Sequence, residues 1–300
     1  MGRAYRPGCA LPPRSGPHAR RPDHHGLARA GRRHVGHGGA RRPLHFPVDL
    51  LLDRADADAP GLPVAGGMAM ATTTPGQNRF VVGDSAADGA FSEGAVGVLL
   101  GPGVRVETVV SQGCRPVGHP LVVTRAEGDV VYELGGRPAL ERLGEIAEAM
   151  DEADRQMLYR GVQFGRVIDE HRSEFGRGDF LVRAVMGGDK ESGAIQVGDH
   201  IEVGTTAQFQ VRDAAAADED LRQMVGGRRA EAALLFTCNG RGTRLFGPGQ
   251  PDHDASVVAD ALGGAPVAGM FCAGEIGPVG GRNFVHGFTA SILLLERAAP

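Results

Sequence analysis

Glycine punctuates this sequence wherever an apolar run begins to lengthen, and that limits the chain to short elements joined by tight turns. AVGVLL and VRVETVV are separated by Gly101-Pro102-Gly103, AALLFTC is closed by Asn239-Gly240, and FTASILLL is preceded by Gly287. The 47 glycines of 300 residues have no three-residue period, which excludes a collagen-like helix. No run approaches the ~18 consecutive apolar residues that a membrane helix needs, so no membrane partner is expected. At 42% hydrophobic content the chain can still bury a substantial core.

Charge divides the chain in two. Residues 1–45 hold ten arginines, one acid (Asp23) and six of the eleven histidines, a balance of +9, so 46–300 must carry −13 to give the net −4. An acidic body of this kind argues against nucleic acid as the partner of the main fold, because phosphates demand a basic face. The first 45 residues are broken throughout by Pro and Gly and lack apolar periodicity, which predicts a disordered tail. Four widely spaced cysteines without a CxxC pair, and an N-terminus without an apolar signal core, predict a cytoplasmic protein.

Structured text begins at Phe46. A short helix follows Pro47, and Leu62–Ala65 reads as a buried strand entering a tight loop. Ala95–Leu100 and Val104–Val110 read as a hairpin, as do Leu121–Thr124 and Val130–Leu134 across Gly128. Leu140, Leu143, Ile146, Ala147, Met150 and Met157 recur at helical spacing and predict one helix over 138–157. Further on, Phe180–Met186, Ile201–Val211, Ala232–Cys238, Pro266–Cys272 and Phe288–Leu295 read as strands. Asp213 should cap a helix reaching Val225, and a second helix should cover Asp254–Leu262. These elements predict an α+β protein with two related domains of mixed, mostly antiparallel sheet packed with helices. A PVAG echo at Pro63 and Pro266 suggests equivalent edges facing one another.

Standard catalytic signatures are absent: there is no phosphate-binding G-x-x-x-x-G-K-[ST], no G-x-S-x-G elbow, no H-E-x-x-H and no G-x-G-x-x-G. His119, His171, His200, His253 and His286 lack ligand-like spacing, so neither a metal nor a cofactor is expected. What stands out is glycine mixed with single polar groups at the ends of apolar strands: SQGCRPVGHP (111–120), CNGRGTRLFG (238–247) and AGEIGPVGGRNFVHGFT (273–289). Such loops let the backbone approach a ligand while Arg and Asn give directional contacts. Alone, each could equally be a tight turn with Arg and Glu paired. Cys238, His286 and Glu275 could also form a thiol nucleophile, its base and an orienting carboxylate, if they come within hydrogen-bond reach.

The same loops resemble the FIST family. LLFTCNGRGTRLFG, PDHD, PVAGMFCAGEIGPVGGRNFVHGFTAS and QFQVRD are similar to the FIST C domain. FPVD, PGLPVAGGMA, GAVGVLL, VVSQGCRPVG and GRPALERL look like the latter part of the FIST N domain. The resemblance implies a partial FIST N domain over 46–140 and a complete FIST C domain over 141–295. It also implies a sensory module of bacterial signal transduction that recognises small molecules such as amino acids, with a signalling protein as a further partner. Within that expectation we place Arg115, Asn239, Arg241, Glu275, Arg282, Asn283 and His286 around a small polar ligand. A hydrolase or transferase using Cys238 and a protein-interaction scaffold are the competing readings.

Overall fold

The computed structural model describes residues 46–69, 74, 77–82 and 89–298. The Arg/His-rich segment 1–45, expected to be a disordered tail, lies outside the described residues. The fold is α+β. Helix α1 spans Val48–Asp58, α2 Ala139–Ala149, α3 Glu152–Arg160, α4 Ala214–Val225, α5 Gly242–Phe246 and α6 His253–Ala261.

Six strands close on themselves as a barrel. In spatial order they are 194–197, 180–189, 162–167, 206–212, 121–127 and 130–134, and the last pairs with the first through Ile195↔Val131 and Gln196↔Val130. Alternation decides what points inward. Ala207, Phe209 and Val211 fill the lumen with Phe164, Val123, Val131, Ile195 and Val197, all at most 1% exposed. Phe164 and Phe209 meet edge to face, with ring centroids 6.0 Å apart. Helices α2 and α3 contribute Ile146 and Leu158 to this core. They are two helices rather than one over 138–157. Met150 turns extended, and Asp151 starts the second helix by accepting the Asp154 amide at 2.8 Å.

The second sheet has the order 267–272, 232–238, 290–297 and 104–111. Strands Ala232–Cys238 and Val267–Cys272 run parallel, joined through α5 and α6, while the other pairings are antiparallel. Asp213 caps α4 as expected, accepting the Ala216 amide at 3.0 Å. Leu221 and Val225 of α4 pack with Val257 and Val258 of α6 on Leu235, Ile292 and Leu294. The opposite face is covered near its Cys238 end by a small sheet of Gly66–Gly67, Glu275–Val279 and Arg282–His286. There Gly67, just after the first PVAG segment, lies against Cys272, three residues beyond the second, and a Cβ on Gly67 would overlap the Cys272 sulfur.

Several expected elements differ. Leu62–Ala65 is not a strand, and only Gly66–Gly67 pairs, with 275–276. Ala95–Leu100 does not pair as a hairpin with 104–110. Val98 and Leu99 are 72% and 70% exposed, and strand Val104–Ser111 pairs instead with Ala290–Arg297, at the edge of its sheet. Strand 201–211 shortens to Thr206–Arg212, since 202–204 form a turn. The Gly-rich stretch 273–289 is largely a hairpin turning at Gly280-Gly281, both with positive φ, rather than an open loop.

Candidate functional site

A buried polar cluster lies where the barrel's outer face meets the C-terminal ends of the parallel strands. Cys238 and Cys272 are register partners at those ends. In open sheets this is where ligands are commonly received. The chain leaves Cys238 through Asn239-Gly240, and the Gly240 amide points at the Cys238 sulfur at 3.4 Å. Arg212, on the barrel's outward side, donates to the Gly240 carbonyl and lies over the Phe288 ring, 5.5 Å from its centroid. Beside it lies an apolar contact of Cys114, Val167, Phe180 and Val182, with Phe288 packed against them.

Two charged side chains are buried in this cluster. Arg241 is 1% exposed and binds Asp254 through Nε (2.6 Å) and Nη2 (2.9 Å). Its remaining nitrogen, Nη1, has no hydrogen-bond partner among the described residues. Glu275 is fully buried. Its Oε2 accepts from the Thr289 amide (3.1 Å) and hydroxyl (2.9 Å), while Oε1 has no hydrogen-bond partner among the described residues. A buried polar atom left unpaired costs about 1–3 kcal/mol, so two in one cluster require an explanation. Backbone strain coincides with them. Phe288 is the only described non-glycine residue with positive φ, at 64°. Gly113 fits only because it has no side chain, since a Cβ there would overlap the Phe288 carbonyl and lie 2.9 Å from Arg241 Nη1.

Burial governs the titrations. It pushes Glu275 up to about 7, against the lowering effect of the Thr289 donors and Arg241. It also raises Cys238 to about 11, helped by the Glu275 charge, and raises Cys114 and Cys272 to about 12. A thiol so disfavoured as thiolate is a poor nucleophile at neutral pH.

The residues singled out from sequence separate into two groups. Cys238, Asn239, Arg241 and Glu275 come together here, Asn239 exposed beside them, with its backbone amide donating to the Cys272 carbonyl at 2.8 Å. His286 is buried opposite Glu275 in the hairpin, but its Nε2 faces the Gly277 carbonyl at 2.9 Å, and no hydrogen bond links it to Cys238. Burial lowers it to about 4, leaving a neutral ring. Arg115 instead clamps Asp154 (2.6 Å) and Asp213 (3.1 Å), tying α3 to the cap of α4. Asn283 binds Asp56, the Leu62 carbonyl and the Val64 amide, docking α1. Arg282 is exposed over Phe284.

Sequence reasoning missed Arg212, Asp254 and Thr289. Asp254 had a signal, an acid one helical step beyond a Gly-rich loop, while Arg212 needed the barrel's inside-outside alternation. It also missed Asp220, buried on α4, which accepts from Ser111 Oγ (2.8 Å) and the Gln112 amide (2.7 Å) and fixes the first loop. Among the described residues, no group of three or more His, Cys, Asp or Glu side chains is arranged to hold a metal ion. No described helix is long and apolar enough to cross a membrane.

Comparison with known families matches the FIST N domain over residues 40–137 and the FIST C domain over 139–278. The chain belongs to the FIST family. A merely partial N domain was expected, and the match corrects this. It begins at residue 40, whereas the sequence reading started at Phe46, where apolar periodicity begins, which marks packing and not a domain edge. An uncharacterized protein of Mycobacterium tuberculosis is 50% identical over 258 residues, covering 84% of this chain and 66% of its own length. An uncharacterized protein of Mycobacterium bovis is 48% identical over 258 residues, covering 84% and 65%. The chain thus spans just under two thirds of the relatives it matches.

Proposed function

We propose that this FIST-family chain is a cytoplasmic sensor that binds a small polar molecule of the amino-acid class between barrel and parallel strands, and passes occupancy to a signalling protein. FIST domains are associated with sensing in signal transduction. One observation carries the ligand class: a buried cation and a buried carboxyl, Arg241 and Glu275, each present one unpartnered polar atom in the same cluster. A zwitterion would satisfy both, its carboxylate on Arg241 Nη1 and its ammonium on Glu275 Oε1. Asn239 is exposed beside them. Strain at Phe288 is consistent with a backbone held for binding rather than for its own stability.

The enzyme reading has less support, because Cys238 has no base beside it and its thiol is pushed up. Thermal-shift screening of amino acids tests the proposal. Stabilisation at millimolar concentration, lost in Arg241→Gln, is the expected result. No stabilisation by any amino acid would overturn it.

A further inference from the structure

A guanidinium free to swing would anchor an anion poorly, and Arg241 is held by a chain of side chains that reaches the surface. Asp254 Oδ2 accepts from Arg241 Nε (2.6 Å) and Thr237 Oγ1 (2.5 Å), and Oδ1 accepts from Arg241 Nη2 (2.9 Å). The same Oδ1 faces His253 Nδ1 at 3.2 Å. The other ring nitrogen, Nε2, faces Asp218 Oδ1 on α4 at 2.8 Å. The ring is stacked on Phe246, centroids 3.6 Å apart, and its side chain is only 8% exposed. His253 therefore has a carboxylate oxygen at each nitrogen and an aromatic face beneath it.

Ionised carboxylates only accept, so each ring nitrogen must donate, and only the imidazolium donates from both. Both acids are held ionised. Asp218 is lowered first by its bond to Arg222, and Asp254, despite its burial, by Arg241, Thr237 and His253. The charged groups around the ring are Asp218 and Arg222 from α4, Asp254 from α6, and Arg241 from the segment before α5, with Asp260 of α6 acting on Arg222.

We propose that His253 is a positioning residue: as an imidazolium it fixes the Asp254 carboxylate and, through it, the direction of Arg241 Nη1. This rests on Arg241 being the anion anchor of the proposed function. Loss of one ring proton turns a lone pair toward a carboxylate oxygen, so the ring or Asp254 must move and Arg241 loses its fixed partner.

The test uses the ligand-free full chain with 15N-labelled histidine and arginine. Long-range histidine spectra at neutral pH should show both His253 nitrogens protonated. His253→Gln should lower protection of the Arg241 Nε proton from exchange, relative to free arginine at the same pH, by about tenfold. Asp218→Asn removes one of the two carboxylates and should return the ring to a single-proton tautomer. A single-proton His253 tautomer in the wild type, or Arg241 protection unchanged in His253→Gln, overturns the proposal. No ligand enters these measurements, so their failure and the failure of the amino-acid screen are distinguishable.

Discussion

The barrel and the four-stranded sheet handle buried space in opposite ways. Inside the barrel, inward positions are apolar, the rings of Phe164 and Phe209 interlock, and every strand has two neighbours. Around Cys238, buried space holds Arg241, Glu275, Asp254 and Thr289, a strained Phe288 and two polar atoms without partners. One unpaired atom also lies on a barrel strand, Gln163 Oε1, but the strand ends combine two such atoms with buried charges and a strained backbone. The contrast assigns support to the barrel and chemistry to the strand ends.

The most severe way to break this comparison is Phe209→Ala. It should cost about 3–5 kcal/mol in urea unfolding, because the closed barrel has little freedom to collapse on the cavity. If the barrel is support alone, the folded fraction should still show the unpaired Arg241 and Glu275 chemistry. A loss under 1 kcal/mol would mean the lumen is loosely packed.

Glu275→Gln sharpens the comparison from the other side. A carboxyl raised from 4.5 to about 7 by folding makes the wild type less stable as pH rises across that interval, by up to about 3 kcal/mol. Gln cannot ionise, so the variant should lose that decline and be more stable than wild type at pH 8. Parallel stability curves for the two proteins from pH 5 to 8 would show that Glu275 titrates normally. His286 acts in the opposite direction. Lowered to about 4, it is neutral when folded and destabilises on acidification from 6.5 toward 4.

A smaller effect is expected from Gly113→Ala. The added methyl meets the Phe288 carbonyl and Arg241, costing about 1–3 kcal/mol and displacing Arg241. Unchanged melting would mean that Phe288 relaxes freely. Least of all, Asp151→Ala removes the cap of α3, for about 1 kcal/mol, with no change at the cluster. Loss of the cluster in that variant would show that the helices beside the barrel reach the site.

Local signals proved readable where an element is decided by its own residues. Ala232–Cys238 is apolar throughout, and Asp213 caps α4 by a bond to Ala216. Signals failed where partners are distant. AVGVLL has strand composition but forms no hairpin, while the adjacent Val104–Ser111 finds its partner in Ala290–Arg297, almost two hundred residues away. The barrel strands Val162–Val167 and Ala194–Val197 carry too short a pattern to stand out alone. For the site, polar residues at strand ends identified Arg241 and Glu275. Residue type could not distinguish them from Arg115 and Asn283, whose partners Asp154, Asp213 and Asp56 come from elsewhere in the chain. The break at Met150 also escaped, because periodicity continues across it while the Asp151 cap restarts the helix.

The pairing of Val104–Ser111 with Ala290–Arg297 has a consequence during synthesis. All six barrel strands lie between residues 121 and 212, so the barrel can close before Ala290–Arg297 is made. The other sheet must wait for that strand, its central one. Until then Val104–Ser111 has no neighbour, and Glu275 has no Thr289 to bind. Translation therefore produces a finished barrel first and the polar cluster last, during a window in which a nascent edge strand is open to the wrong partner.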